Sequence, residues 1–384
     1  KYSVNYSIEA TIQVSGNKIR LSSKITDLIN EEVGIDVTID ETGGSATYVN
    51  TTQLNAIQSG VGNSNTVTYT KLTDTATNLA SNTADIVDGV AVTVNESGAA
   101  STYATVAQID TLTTRVAAVS NASLSYEKLN DSATNLAAGN TSYLAGIAIT
   151  IDDANNAAAT TTELNSIQTK MGQSGSVSYT KLKDTASNLV TNSADIVAGV
   201  AVTIIDTGVN TPATVSELNS LQDAVSSAGN GASLTYTKLR DTSANIRANT
   251  ANGSITDVEG IAVTVTTTSN ASQFSAILTA ATANQANGTV AGAVSDAVGN
   301  LTNVTLTGAT SVTAVITDGT KDLTGTALDS EVTILDISTN TVQGAIFDIA
   351  DIDGGVTILN TDNAGTFTIK DSATTLAANT SLIN

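Results

Sequence analysis

The sequence predicts an α/β fold, an elongated repeat solenoid of parallel strands and short helices with strand-rich terminal segments. Three observations predict it. One phrase recurs four times: YTKLTDTATNL (69–79), YEKLNDSATNL (126–136), YTKLKDTASNL (179–189) and YTKLRDTSANI (236–246). The copies start 53–57 residues apart, within the period range of repeat architectures. A glycine-led apolar run recurs as GIDVTI (34–39), GVAVTV (89–94), GIAITI (146–151), GVAVTI (199–204) and GIAVTV (260–265). After each run comes the same helix-start signature. Chains copied from one supersecondary unit stack the copies on one another.

The N-terminal segment, residues 1–33, stands apart from the repeat. Tyr2, Val4, Tyr6, Ile8, Ala10, Ile12 and Val14 alternate with polar residues, the period-2 pattern of a strand. Ser15-Gly16-Asn17 marks a turn, and residues 18–23 are able to return as a second strand. Lys1, Lys18, Arg20 and Lys24 make this stretch locally basic. Two roles are expected of it. It caps its own solenoid, or it adds a strand to the sheet edge of a neighbouring copy. In the second role Tyr2, Val4, Tyr6, Ile8, Ile12 and Val14 are the assembly residues, and the positive charge suits an acidic partner surface.

Residues 34–284 form the repeat solenoid, in units of about 55 residues, a length that suits a strand–helix–strand–helix unit. Each phrase opens with a short strand. Alternation places Tyr69, Tyr126, Tyr179 and Tyr236 in one column with Lys71, Lys128, Lys181 and Lys238. Asp74, Asp131, Asp184 and Asp241 follow and are expected to cap a short helix, since a carboxylate accepts orphan backbone N–H groups. Asn78, Asn135, Asn188 and Asn245 are expected to form a ladder satisfying backbone groups at the turns.

The glycine-led run is the second strand, with Thr38, Thr93, Thr150, Thr203 and Thr264 in an outward column. In the first three units Gly follows Asp by 15 residues, and the fourth carries an insertion around Gly253 that should bulge. The second helix opens with a capping box in five copies: Asn50/Gln53, Thr105/Gln108, Thr160/Glu163, Thr214/Glu217 and Asn270/Gln273. Apolar pairs three apart, such as Leu54 with Ile57, give it one buried stripe. Strands joined through helices pair in parallel by right-handed crossovers.

Residues 285–384 lose the clean repeat and read as degenerate copies with a strand-rich C-terminal cap. FTIKDSATTL (367–376) echoes the phrase, with Phe367 in the tyrosine column.

Composition narrows the chemistry. With no Cys and no His, thiol nucleophiles, disulfides, zinc fingers and imidazole bases are excluded. Thirty-six acidic against 15 basic residues give a net charge of −21, which repels nucleic acid and anionic lipid and attracts divalent cations. Only 13% of residues are charged, so Thr, Ser and Asn must cover much of the surface. The chain opens on Lys1, shows no basic-then-apolar leader and has no apolar run long enough to span a bilayer. It reads as a mature secreted product or a fragment of a larger protein. No phosphate-binding glycine loop is present.

The best metal candidate is DIADIDGG, where Asp348, Asp351 and Asp353 offer hard oxygen ligands suited to calcium. It completes no EF-hand loop, and an ordinary acidic turn is the competing reading. Asp152/Asp153 and Asp40/Glu41 are weaker candidates. The sequons at Asn121, Asn140 and Asn303 arise readily by chance in a chain this rich in Asn and Thr.

The phrases D-[ST]-A-x-N-L, followed by G-[VI]-A-[VI]-T-[VI] and T-V-[AS]-[QE]-[LI], resemble repeats of large secreted bacterial proteins, cyanobacterial-type surface-layer, adhesin and filament-like proteins. The resemblance covers roughly residues 34–280 and implies an extracellular or cell-surface scaffold. It transfers no functional residue, and the family's nonapeptide calcium repeats are not present. The function expected is therefore non-enzymatic. The protein is a structural one that self-assembles with copies of itself into a filament, sheath or surface layer. The alternatives are an adhesin or carbohydrate-binding module for surface polysaccharide, with exposed Tyr and Thr columns, and a phage fibre. Ice binding through the Thr column is a thin signal.

Overall fold

The computed structural model describes residues 10–12, 36–42, 48–62, 65–154, 157–206, 208, 212–251, 253–285, 287–301, 304–316, 322, 324, 331–336, 343–348, 356–359 and 366–380. The fold is α/β, built from parallel sheets and short helices. Contacts divide the chain into two compact units, Lys1–Leu182 and Lys183–Asn384.

In the first unit, Ala10–Ile12, Val37–Ile39 and Val67–Thr68 form one parallel sheet. Lys71–Asp74, Ala91–Val94 and Ser123–Ser125 form a second. Lys128–Asp131, Ala148–Ile151 and Ser176–Ser178 form a third. The second and third sheets each take one strand from the phrase, one from the glycine-led run and one that follows the long helix, and in the first sheet Ala10–Ile12 stands where the phrase strand would be. The registers repeat as well. Leu72 lies beside Val92 and Val92 beside Leu124, just as Leu129 lies beside Ile149 and Ile149 beside Val177. Leu72, Val92, Leu129 and Ile149 are buried in the core, whereas the neighbouring Thr38 is exposed and Thr93 and Thr150 are partly so. The alternation expected of the second strand is therefore present.

The second unit repeats the pattern. Ala201–Ile204 pairs with Ser233–Thr235, and Lys238–Asp241, Ala262–Val265 and Thr289–Ala291 form a parallel sheet. Ala293–Ala297, Ser311–Val315, Ile334–Asp336 and Thr357–Leu359 follow in a four-stranded parallel sheet. Gln343–Phe347 pairs with Thr366–Ile369. The insertion around Gly253 is a two-stranded antiparallel hairpin, Thr250–Ala251 with Ser254–Ile255.

All five capping boxes form, at the starts of the long helices Thr51–Val61, Val106–Ala117, Thr161–Met171, Val215–Ala228 and Ala271–Ala281. Leu54 and Ile57, Ile109 and Leu112, Leu164 and Ile167, Leu218 and Leu221, and Phe274 and Ile277 are all buried. The short helices Ala76–Ser81, Ala133–Ala138, Ala186–Thr191 and Ser243–Ala248 pack against the long helix that follows each of them. Among the described residues the glycine opening the second strand has positive φ: 78° at Gly89, 75° at Gly146, 80° at Gly199 and 72° at Gly260. At the first three an added Cβ would meet no atom. Backbone conformation, and not space, selects glycine there.

Three expectations change. The chain bends at Thr70, so Tyr69 and Leu72 both point inward while Thr70 is exposed and Lys71 only half covered. The bend shifts the alternation by one residue, so tyrosine and lysine do not share a face. The N-cap of each short helix is the residue after the aspartate: Thr75, Ser132, Thr185 and Thr242 accept from the amides of Asn78, Asn135, Asn188 and Asn245. The asparagine side chains face the exposed side and bond the aspartate instead of forming a buried ladder.

Candidate functional site

The polar chemistry of the repeat collects at two recurring carboxylate junctions. At the first, Asp74 sits at the end of its strand. Its Oδ1 accepts from the Thr75 amide and from Asn78 Nδ2, both at 2.8 Å. Its Oδ2 accepts from the amide and hydroxyl of Thr51, the first residue of the preceding long helix, at 3.0 and 2.6 Å. One carboxylate thus fixes the starts of two helices, where unpaired amides and the helix dipole both favour an anion. Asp131 takes the amides of Val106 and Ser132 and the Asn135 side chain. Asp241 takes the amides of Val215 and Thr242 and the Asn245 side chain. Asp296 takes the amides of Ala271 and Ala297 and Asn300 Nδ2.

Asp296 and Asn300 belong to a fifth copy that the sequence reading missed. D-A-V-G-N-L at 296–301 keeps the Asp, Asn and Leu spacing of the phrase, but Gly299 and the missing tyrosine hid it. The last copy is weaker. Asp371 accepts from the Ser372 amide, and Ser372 caps the helix Ala373–Ala378.

At the second junction an acidic residue just beyond the second strand, in four of its five copies, reaches the bend of the next phrase. Glu41 accepts from the amides of Thr70 and Lys71 and from the Thr70 hydroxyl. Glu96 accepts from the amides of Glu127 and Lys128, each at 2.9 Å. Asp153 accepts from the amides of Thr180 and Lys181. Asp206 accepts from the amide and hydroxyl of Thr237. The bend leaves strand amides without a ladder partner, and the carboxylate satisfies them.

The tyrosines brace the loop that follows each short helix. The Tyr69 hydroxyl donates to the Asp85 carbonyl. Tyr126 donates to the Tyr143 carbonyl at 3.1 Å and Tyr236 to the Asp257 carbonyl at 3.4 Å. Asp257 also accepts from Gln222 Nε2 and Asn249 Nδ2. Lys71 and Lys128 lie over the rings of Tyr48 and Tyr103, 4.7 and 5.0 Å from their centroids.

The electrostatics follow these contacts. Burial pushes the Asp74 carboxyl up, but bonds from Thr51, Asn78 and Thr75 hold it below its ordinary value. Burial raises Asp85, with a bond from Gln58 opposing it, and one Asp85 oxygen is buried without a partner. Burial also raises Glu96 against its two amide bonds. Tyr69 is pushed up to about 12 by burial and by the nearby Asp85 charge. Tyr126 is likewise raised to about 12 by burial, with Tyr143 and Glu96 adding to it.

Glu41 and Asp153, weak metal candidates in the sequence, are engaged with strand amides. Asp348 is partly covered and directly follows the strand Gln343–Phe347, while Asp351 and Asp353 lie outside the described residues. Among the described residues no group of three or more acidic side chains is close enough to hold a metal ion. Of the assembly residues, only Ile12 is described. It lies in the strand Ala10–Ile12, beside Ile39 of the same chain. Tyr2, Val4, Tyr6, Ile8 and Val14 lie outside the described residues. An exposed tyrosine column is not formed, because Tyr69 is buried and Tyr126, Tyr179 and Tyr236 are half-buried. No described helix is long and apolar enough to cross a membrane. No protein-family model, curated protein or solved structure matches the chain.

Proposed function

We propose that the chain is a non-enzymatic, extracellular structural protein whose repeats pile coil on coil into an elongated solenoid. It assembles with copies of itself into a filament, sheath or surface layer. The single observation that supports this is the two-helix aspartate junction, repeated four times with equivalent amide donors at Asp74, Asp131, Asp241 and Asp296. Its carboxylate joins one stretch of the repeat to the next. Chemistry of this kind builds a scaffold that lengthens by copying. Electron microscopy of the purified protein, with and without residues 1–17, tests the reading. Ordered polymer that is lost on truncation is the expected result. Dispersed particles of the intact chain at every concentration contradict it.

One observation favours a second reading, an adhesin for surface polysaccharide. Neighbouring strands carry hydroxyls side by side, as in Thr73–Thr93–Ser125 and Thr203–Thr235. Glycan-array binding by a monomeric protein would select this reading over assembly. Calcium dependence is tested by adding a chelator to the polymer, which dissolves only if the cation bridges it.

A further inference from the structure

Five copies of the repeat place an apolar residue five positions after the junction aspartate. These residues are Leu79, Leu136, Leu189, Ile246 and Leu301, each 0–2% exposed. In four copies the long helix that follows packs over the short helix that carries it. The copy at Asp371 differs. Its helix Ala373–Ala378 buries no residue, and Leu376, in the equivalent position, is only half covered. Its strand Thr366–Ile369 is paired along one edge only, with Gln343–Phe347, among the described residues. Among the described residues the strand Ala10–Ile12 is likewise paired along one edge, with Val37–Ile39. Both pairings are parallel, so the edge left unpaired among the described residues of each strand suits the parallel partner that the other offers.

Charge agrees with this match. Residues 1–24 hold four basic residues and one acidic, whereas residues 285–384 hold eleven acidic and two basic. Complementary charge steers an encounter and sets its direction.

We infer that the strand Thr366–Ile369, with Leu376 in the helix that follows it, is a docking edge for the strand Ala10–Ile12 of a second copy of this chain. Different surfaces meet in such a contact, so it is head-to-tail and propagates as an open filament instead of closing into a dimer. The inference rests on the assembly reading above and names its acceptor.

The absence of cysteine makes the test direct. In a T11C/T368C double variant, paired strands bring the two thiols within disulfide reach across the contact. Mild oxidation followed by a denaturing, non-reducing gel should give a ladder of dimers, trimers and longer species. Either single variant has no thiol opposite its own across the contact and should give no ladder, with at most a trace of collisional dimer. L376D in the same background should shorten the ladder, with circular dichroism confirming that the fold is retained. Polymer by microscopy without a ladder, or a ladder unchanged by L376D, overturns this acceptor and leaves the assembly reading standing. Neither polymer nor ladder overturns both.

Discussion

Ser243 shows how residues in this chain can be judged against their own copies. It occupies the position held by Ala76, Ala133 and Ala186, all buried. Its side chain is buried too, and its Oγ has no partner. A buried unpaired hydroxyl costs about 1–3 kcal/mol. Ser243→Ala is therefore expected to stabilise the protein by about 1 kcal/mol in urea melts, and a loss of stability would count against the packing described. Asp74 makes the opposite case. Asp74→Asn removes a charged acceptor from the Thr51 and Thr75 amides and should cost about 2 kcal/mol at neutral pH. Because its folded carboxyl titrates below the unfolded one, that stability is complete above about pH 4. It is lost as the pH falls through the folded value. Variant and parent should converge in urea melts taken toward pH 2. A gap that persists there contradicts the junction.

Tyr69 and Tyr126 titrate near 12 in the fold, against about 10 in an unfolded chain. Their stabilising effect is complete below about pH 10 and is lost as the pH rises from there to 12. Absorbance at alkaline pH should show these two ionising late, together with unfolding. Simple titration of all tyrosines around pH 10, with the fold intact, would rule out the buried hydroxyl contacts.

At the scale of elements, the capping boxes and the glycine-led strands were legible because their signals are local. Thr214 and Glu217 are three residues apart and satisfy each other's backbone amides. Gly199 and its fellows answer to a single dihedral angle. Thr214→Ala should cost about 1 kcal/mol, read as a lower thermal midpoint. The phrase was harder to read. Alternation along Tyr-Thr-Lys-Leu assumes an unbroken strand, and the amide left at the bend at Thr70 is held by Glu41, some 30 residues earlier. The two-helix role of Asp74 depends in the same way on Thr51, 23 residues away. No window of the sequence displays such a partner. The internal copies do offer one clue: an acidic residue stands just after four of the five second strands, at Glu41, Glu96, Asp153 and Asp206.

For the whole molecule, the proposed solenoid makes the sharpest demand. Each added strand should lengthen a stack by about 4.8 Å, so the chain should scatter as a rod. The most direct measurement is small-angle X-ray scattering from dilute, monomeric protein, with T11C and T368C absent and salt high enough to suppress association. The account predicts rod-like scattering, with a radius of gyration well above the roughly 21 Å of a compact globule of this length. A value near that of the globule, with a symmetric distance distribution, would contradict it.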